Sequence, residues 1–376
     1  MRVAVDARRV MSGMSGLGTY TEQVVRGLVS LPGTDRVQWV IYALASNASA
    51  WRDLEGQAEI IPVAWPVEDH VRGDYWKHVA LPMDLTRRTI DVFHEPAYQI
   101  PMRRSTARYV VTVHDLSPFH YPETNTWKYN AYWKWMTRRA VERSDRVIAV
   151  SEYVRGELED MFPMCRGRVD VTLEAAAAVF SPGETDPTVL ARWGINGPYF
   201  LTTARYEPRK NLARVLDAFR LFRQSVPGEW YLVAAGGFGW KNEHVIRQTA
   251  TMDAVRNVVF PGHISRHELV HLMRGAYAVV VPSVYEGFGL PVLEAMACGA
   301  PVMCSRRAAL PEIAGDAAVY FDPLRVESIA EACVRMATQE SERRQWMLRS
   351  LERSAQFSWR VTAERTLEVY CRAMRG

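Results

Sequence analysis

The sequence predicts an α/β protein made of two doubly wound parallel-sheet domains. Three observations carry that expectation. Short β-branched runs such as Ala278-Val279-Val280-Val281 recur along the chain with helical patterns between them, as buried parallel strands require. Glycine-rich turns follow two of these runs. At 376 residues the chain also exceeds what one hydrophobic core ordinarily supports.

The first strand is expected at residues 3–6. The loop Ser12-Gly13-Met14-Ser15-Gly16-Leu17-Gly18 follows, then a helix over 19–30 with Val24, Val25, Leu28 and Val29 roughly on one face. Further strands are expected at 37–43, 58–63, 92–94, 109–113 and 147–150. Pro182-Gly183 and Asp186-Pro187 are turn signals that mark a break between 173 and 197. Beyond it, strands are expected at 199–203, 230–235, 258–260, 278–281, 301–304 and 318–321, with helices at 212–223 and 268–274 and a helical stretch over 328–375. The domains are accordingly set at 1–185 and 186–357. Sheets of this kind bind ligands at the carboxyl ends of their strands, so two such domains are expected to face each other across a cleft.

Composition narrows the function classes. Hydrophobic residues at 48% and charged residues at 23% are ordinary for a globular protein. A net charge of +4 does not indicate a nucleic-acid partner, although a locally basic face is compatible with it. Cys165, Cys298, Cys304, Cys333 and Cys371 are odd in number and lack a C-x-x-C, which argues against a disulfide framework or a zinc site. With no signal-peptide pattern and no long apolar run, a cytoplasmic location is expected.

The chemistry concentrates in 281–301. Glu286 and Glu294 flank the turn Gly287-Phe288-Gly289-Leu290-Pro291, one before it and one inside the helix that follows. Glycines let backbone amides approach a ligand, a helix N-terminus offers unpaired N–H groups to an anion, and carboxylates accept hydrogen bonds from sugar hydroxyls. The same pattern also fits an ordinary strand–turn–helix unit with one solvated and one capping glutamate.

Arg205 and Lys210 bracket a proline turn after strand 199–203. A guanidinium fork and an ammonium there suit a diphosphate that gains charge as it leaves, the alternative being two solvated basic residues. Gly16 and Gly18 precede a helix but lack the third glycine of a dinucleotide fingerprint. His94 and His114 end neighbouring strands, where each is either a ligand to substrate or a structural histidine. Residues 127–146 interleave Trp127, Tyr129, Tyr132, Trp133 and Trp135 with Lys128, Lys134, Arg138, Arg139 and Arg143. That mixture suits an anionic bilayer surface, stacking on sugars, or a core helix with a basic outer side.

Together these motifs resemble family 4 glycosyltransferases, retaining nucleotide-sugar enzymes of the GT-B fold, over nearly the whole chain. The resemblance rests on Ser15-Gly16-Leu17-Gly18-Thr19-Tyr20, Thr112-Val113-His114-Asp115, Ile148-Ala149-Val150-Ser151-Glu152, Arg205 with Lys210, Pro261-Gly262-His263 and Phe357-Ser358-Trp359. Its most specific element is Glu286-Gly287-Phe288-Gly289-Leu290-Pro291-Val292-Leu293-Glu294, the E-x7-E signature. It implies two Rossmann-like domains, the first binding acceptor and the second the nucleotide sugar, with a C-terminal helix near 358–376 crossing back to the first.

The resemblance also implies roles. Arg205 and Lys210 hold the diphosphate, Glu294 the ribose and Glu286 the donor sugar, with Gly287, Phe288, Gly289 and Leu290 alongside. Gly262 and His263 lie by the base, Gly16 and Gly18 close on the donor, and His114 contacts its sugar. Neither metal nor cofactor is expected. The implied reaction is transfer of a hexose, mannose from GDP-mannose first, to a glycan or lipid-linked acceptor in bacterial surface-polysaccharide synthesis, with peripheral contact at the inner membrane face and no nucleic acid. UDP-glucose or dTDP-rhamnose with a soluble acceptor, a related epimerase or phosphorylase, and a catalytically silent sugar-nucleotide binder are the alternatives.

Overall fold

Every strand expected from the β-branched runs forms, and all pair in parallel. The structure is a computed structural model that describes residues 1–10, 16–34, 36–66, 71–124, 126–203, 207–237 and 257–376. The chain divides into two units. One comprises Met1–Phe119, Trp127–Glu174 and Ser358–Gly376, the other His120–Thr126 and Ala175–Phe357. The main crossover thus falls at Glu174, ahead of the turn signals at 182–187, and 120–126 groups with the second unit.

In the first unit β1 (Arg2–Asp6), β2 (Gln38–Leu44), β3 (Ala58–Val63), β4 (Val92–Glu95), β5 (Arg108–Val113), β6 (Arg146–Ala149) and β7 (Val169–Val171) form a seven-stranded sheet ordered β3-β2-β1-β4-β5-β6-β7. Ala4 lies opposite Val40 on one side and Phe93 on the other. Val3, Ala4, Val92, Phe93, Val110 and Val111 are wholly buried, as strands covered on both faces demand. Strand β7 has no counterpart among the expected strands: three residues are too short a run to show a period.

In the second unit β8 (Tyr199–Thr203), β9 (Tyr231–Ala235), β10 (Val258–Gly262), β11 (Ala278–Val281), β12 (Val302–Ser305) and β13 (Ala318–Phe321) are ordered β10-β9-β8-β11-β12-β13. Its core gathers Phe200, Leu216, Phe219, Phe222, Val280 and Met303 between the sheet and the helices Leu212–Ser225 and Val326–Thr338. In both units strand order reverses beside the first strand, between β1 and β4 and between β8 and β11. The loops after those strands are where a doubly wound sheet opens a crevice.

Two helix boundaries differ from expectation. Helix α1 runs Gly16–Val29, so Gly16 and Gly18 sit in its first turns rather than in a preceding loop. Burial of Gly18, Thr19 and Tyr20 outweighs glycine's poor helix propensity. The stretch 328–375 resolves into Val326–Thr338, Glu340–Ser354 and a last helix Trp359–Arg375.

That last helix packs on α1 at Gly27, where a Cβ would lie 3.0 Å from Ala363 Cβ and 3.3 Å from the Trp359 carbonyl oxygen. The close approach requires glycine. A buried polar chain fixes the helix further. Tyr370 Oη lies 2.7 Å from His94 Nδ1, His94 Nε2 lies 2.8 Å from Thr112 Oγ1, and Thr112 Oγ1 lies 3.0 Å from Tyr20 Oη.

Candidate active site

In the second unit the loops after β8 and β11 converge on Glu286. The chain after β8 makes a single 3-10 turn over Pro208–Lys210, whose proline starts it with φ already set. Asn211 then takes a left-handed conformation at φ 61. Its Nδ2 donates to the carbonyls of Pro282 at 3.1 Å and Pro323 at 2.7 Å, tying the loops after β8, β11 and β13 together. The Val284 N–H donates to the Arg209 carbonyl at 3.0 Å, joining the two loops a second time.

So held, Lys210 Nζ lies 2.5 Å from Glu286 Oε1, and Arg209 Nη1 lies 3.2 Å from Glu286 Oε2. Ser283 Oγ donates to Oε1 at 2.6 Å. Arg209 also donates to the Tyr285 carbonyl at 2.8 Å, and the Glu286 carbonyl accepts from the Ala309 N–H at 3.2 Å. Burial pushes the Glu286 carboxyl up, but Lys210, Arg209 and the Ser283 hydroxyl outweigh it and leave it at about 2. It is therefore an ionised acceptor of hydrogen bonds at neutral pH and has no proton to donate.

The turn after Glu286 ends at Gly289, whose φ of 110 excludes other residues and where a Cβ would come within 2.6 Å of Leu310 Cδ2. Pro291 lies in the first turn of the helix Leu290–Ala297, a position that needs no backbone donor. Phe288 is buried, Leu290 half-buried, and Glu294 sits half-buried within that helix. Gly262, at φ 72 with open space beside it, ends β10, and His263 next to it is exposed. Arg205 lies outside the described residues. Sequence reasoning missed Arg209, Ser283 and Asn211. For Arg209 and Asn211 the Pro-Arg-Lys-Asn run after a strand was the only signal, because their partners lie more than seventy residues away in sequence; Ser283, three residues before Glu286, had only its place after a strand.

In the first unit His114 is held on both sides. Its Nδ1 lies 3.0 Å from Glu174 Oε1, its Nε2 lies 2.8 Å from the Pro96 carbonyl, and Tyr20 packs edge-on at 4.6 Å. The strand-end position is as expected, but the ring nitrogens face two acceptors of the protein itself rather than open space. His94 takes the structural alternative: it is wholly buried, bonded on both nitrogens, and its pKa is held at about 3 by burial and the neighbouring His114.

Residues 191–350 match the glycosyl transferases group 1 family, and residues 14–172 match Glycosyltransferase Family 4. The O-antigen chain mannosyltransferase B of Escherichia coli is 30% identical over 283 residues, covering 74% of each chain. The chain belongs to glycosyltransferase family 4. A serotype-specific mannosyltransferase of E. coli is 26% identical over the whole chain, which spans 48% of that longer protein. The fold also matches the sucrose-phosphate synthase of Thermosynechococcus elongatus with a TM-score of 0.78, at 17% identity and with 99% and 98% of the two chains covered. The architecture is the GT-B pair of Rossmann-like domains.

This glycosyltransferase carries a second charged constellation that no sequence spacing announced. At the carboxyl ends of β1 and β4, Asp6, Arg8, Lys77 and Glu95 are all at least 96% buried. Arg8 grips Asp6 with Nε at 3.0 Å and Nη2 at 2.9 Å and lies 4.0 Å over the Trp76 ring. Lys77 Nζ lies 2.6 Å from Asp6 Oδ2 and also bonds Glu95. Burial raises the Asp6 carboxyl, yet Arg8 and Lys77 hold it far below the carboxylate range. Burial draws the Lys77 ammonium down to about 7 against the pull of Asp6, so its charge is only partly held at neutral pH. The ion pairs brace the strand ends of the glycosyltransferase rather than offering a free charge.

Proposed function

We propose that this family 4 glycosyltransferase is a retaining, metal-independent hexosyltransferase. It moves mannose from GDP-mannose to a hydroxyl of a glycan or glycolipid acceptor in bacterial surface-polysaccharide synthesis. The observation that carries the reading is the ionised Glu286 carboxylate, fixed by Lys210, Arg209 and Ser283 at the switch point of the second sheet. The similarity to O-antigen mannosyltransferases supports mannose as the sugar.

In this reading Lys210 and Arg205 bind the donor diphosphate and stabilise the charge that grows as the anomeric C–O bond breaks. Their two positive charges do what a divalent cation does elsewhere, and no cofactor takes part. Glu294 accepts from the ribose hydroxyls, and Glu286 accepts from sugar hydroxyls beside Gly287, Phe288, Gly289 and Leu290. Gly262 and His263 lie by the base, Gly16 and Gly18 of the first unit contact donor phosphate and sugar, and His114 meets the sugar by giving up one of its bonds to Glu174 or Pro96. The acceptor oxygen bonds to the anomeric carbon on the face that the diphosphate leaves, and the acceptor's proton passes to a diphosphate oxygen. Glu286 polarises and positions.

The test is nucleoside diphosphate release from GDP-mannose, UDP-glucose and dTDP-rhamnose, with and without lipid-linked glycan acceptor and with EDTA present. GDP release that needs acceptor and survives EDTA, with an α-linked product by NMR, is the expected result. Turnover of another donor reassigns the sugar. Tight nucleotide-sugar binding without release makes the protein a silent binder and sinks the reading.

A further inference from the structure

At the carboxyl ends of β12 and β13 the second unit opens a cavity of about 440 Å³, lined by Arg306, Arg307, Tyr320, Asp322 and Ser328 among others. That volume falls within the roughly 300–1,000 Å³ of small-molecule sites. The position is the sheet end where doubly wound folds hold ligands. None of these residues takes part in the transfer chemistry above.

Arg306 and Arg307 are adjacent and exposed, and neither side chain makes an ion pair or hydrogen bond among the described residues. Both are nevertheless held in place. The Arg306 N–H donates to the Phe321 carbonyl at 3.1 Å, and the Arg307 carbonyl accepts from the Leu310 N–H at 3.3 Å. The Arg306 guanidinium lies 5.0 Å over the Tyr320 ring, whose hydroxyl donates to the Gly315 carbonyl. Two guanidinium groups on a pinned loop lose little freedom when a ligand bridges them. The loop continues into Ala308, left-handed at φ 53, and Ala309, whose N–H supports the Glu286 carbonyl at 3.2 Å. Backbone strain of that kind gathers at ligand clamps.

The other polar groups of the lining differ in kind. Ser328 Oγ accepts from the Asp322 N–H at 3.1 Å, which leaves its own proton to donate. Asp322 Oδ1 accepts from the Leu324 N–H at 3.0 Å, and Oδ2 has no partner among the described residues. A carboxylate repels an anion but accepts from hydroxyls, so the lining offers an anion subsite and a hydroxyl subsite. A phosphate monoester carries about two negative charges at neutral pH, which two guanidinium forks match, whereas a carboxylate carries one.

We propose that this cavity binds a phosphorylated sugar, its phosphate bridging Arg306 and Arg307 and its hydroxyls meeting Asp322 and Ser328. A free hexose phosphate and a phosphorylated residue of a glycan share this chemistry. The inference does not depend on which donor the enzyme uses.

The experiment is isothermal titration calorimetry of the full chain with mannose 6-phosphate, mannose and inorganic phosphate. Whichever of GDP, UDP and dTDP binds is present at saturation, so that only a second site responds. Mannose 6-phosphate is expected to bind at least about tenfold more tightly than inorganic phosphate, and mannose not at all. Arg306→Gln/Arg307→Gln lowers that affinity at least about tenfold and separates the two sites whether or not a nucleotide binds. Thermal melting of the ligand-free variant is unchanged, since both side chains are exposed. Methyl α-mannoside 6-phosphate names the source: equal binding supports a residue within a glycan, weaker binding a free sugar phosphate. Absence of mannose 6-phosphate binding, its displacement by nucleotide, equal affinity for inorganic phosphate, or full retention in the variant overturns the proposal. The ligand arms decide it on the unmodified protein even if the variant misfolds.

Discussion

Lys210 Nζ lies 2.5 Å from Glu286 Oε1, across 76 residues of sequence and at the point where the second sheet reverses its strand order. The pair joins the donor-phosphate cation expected after β8 to the carboxylate expected after β11. Neither is a free surface charge: Arg209 and Ser283 complete the shell of the carboxylate, and Asn211 locks the loops that carry it.

Glu286→Gln is expected to lower turnover about 100-fold, the scale of losing one fixed electrostatic contact in a transition state. Because the carboxylate is tied by two cations, no glycosyl-enzyme should form in the wild type. Mass spectrometry of the protein after rapid quench with donor checks this, and a hexose adduct on Glu286 would overturn the front-face route. Ser283→Ala removes one donor to the same oxygen and should cost about tenfold at most.

The acid limb of stability should report the same carboxylate. Its folded pKa of about 2 lies below the ordinary 4.5, so the unfolded state binds more protons between those values. The stabilisation is therefore complete above about pH 4.5 and is lost as pH falls towards 2. Urea unfolding at a series of acidic pH values should show a shallower dependence in Glu286→Gln than in the wild type. Identical slopes would mean that the carboxylate is not paired in solution.

Lys77→Met leaves Asp6 and Glu95 buried with one cation fewer. Removing one partner from such a cluster typically costs about 3–5 kcal/mol. Denaturant unfolding should show a loss of that size. A loss below about 1 kcal/mol would mean that water reaches the cluster.

Tyr370→Phe should destabilise the protein by about 1–2 kcal/mol, because His94 Nδ1 loses its partner in a wholly buried position. Hydrogen exchange should then quicken in Trp359–Arg375 ahead of the sheet, since that helix is held to β4 and β5 through this chain. Uniform exchange across the first unit would show that packing alone retains the helix.

Ala308 adopts φ 53 just before Ala309, whose N–H supports the Glu286 carbonyl. A left-handed conformation costs a residue with a Cβ about 1–2 kcal/mol, and the freedom glycine adds to the unfolded chain takes back about 0.4–1 kcal/mol. Ala308→Gly should therefore raise stability by about 0.5–1 kcal/mol. Thermal melting measures it; a lower melting temperature would show that the flexibility glycine adds to the unfolded chain outweighs the strain it relieves.

Much of the fold was legible because its signals are local. A run such as Ala278–Val281 needs only its own β-branched side chains to favour a buried parallel strand, and Gly289-Leu290-Pro291 encodes a turn and a helix start in three residues. Boundaries read from propensity were less exact. Gly16 and Gly18 look like loop in sequence, but burial of Gly18, Thr19 and Tyr20 draws the start of α1 back over them.

By itself the sequence determined two parallel sheets, the strand ends that bear the chemistry, and the E-x7-E pair with its family. Each of these is written in residues adjacent along the chain or at short fixed spacing. Only the tertiary structure decided which residues serve Glu286, why His94 is structural while His114 is pinned between Glu174 and Pro96, and that Asp6, Arg8, Lys77 and Glu95 pair with one another in the core. Apart from Asp6 with Arg8 and Ser283 with Glu286, those outcomes depend on pairings across tens to hundreds of residues, and all of them depend on burial, which sets the cost of every unpaired charge. No local pattern encodes either one.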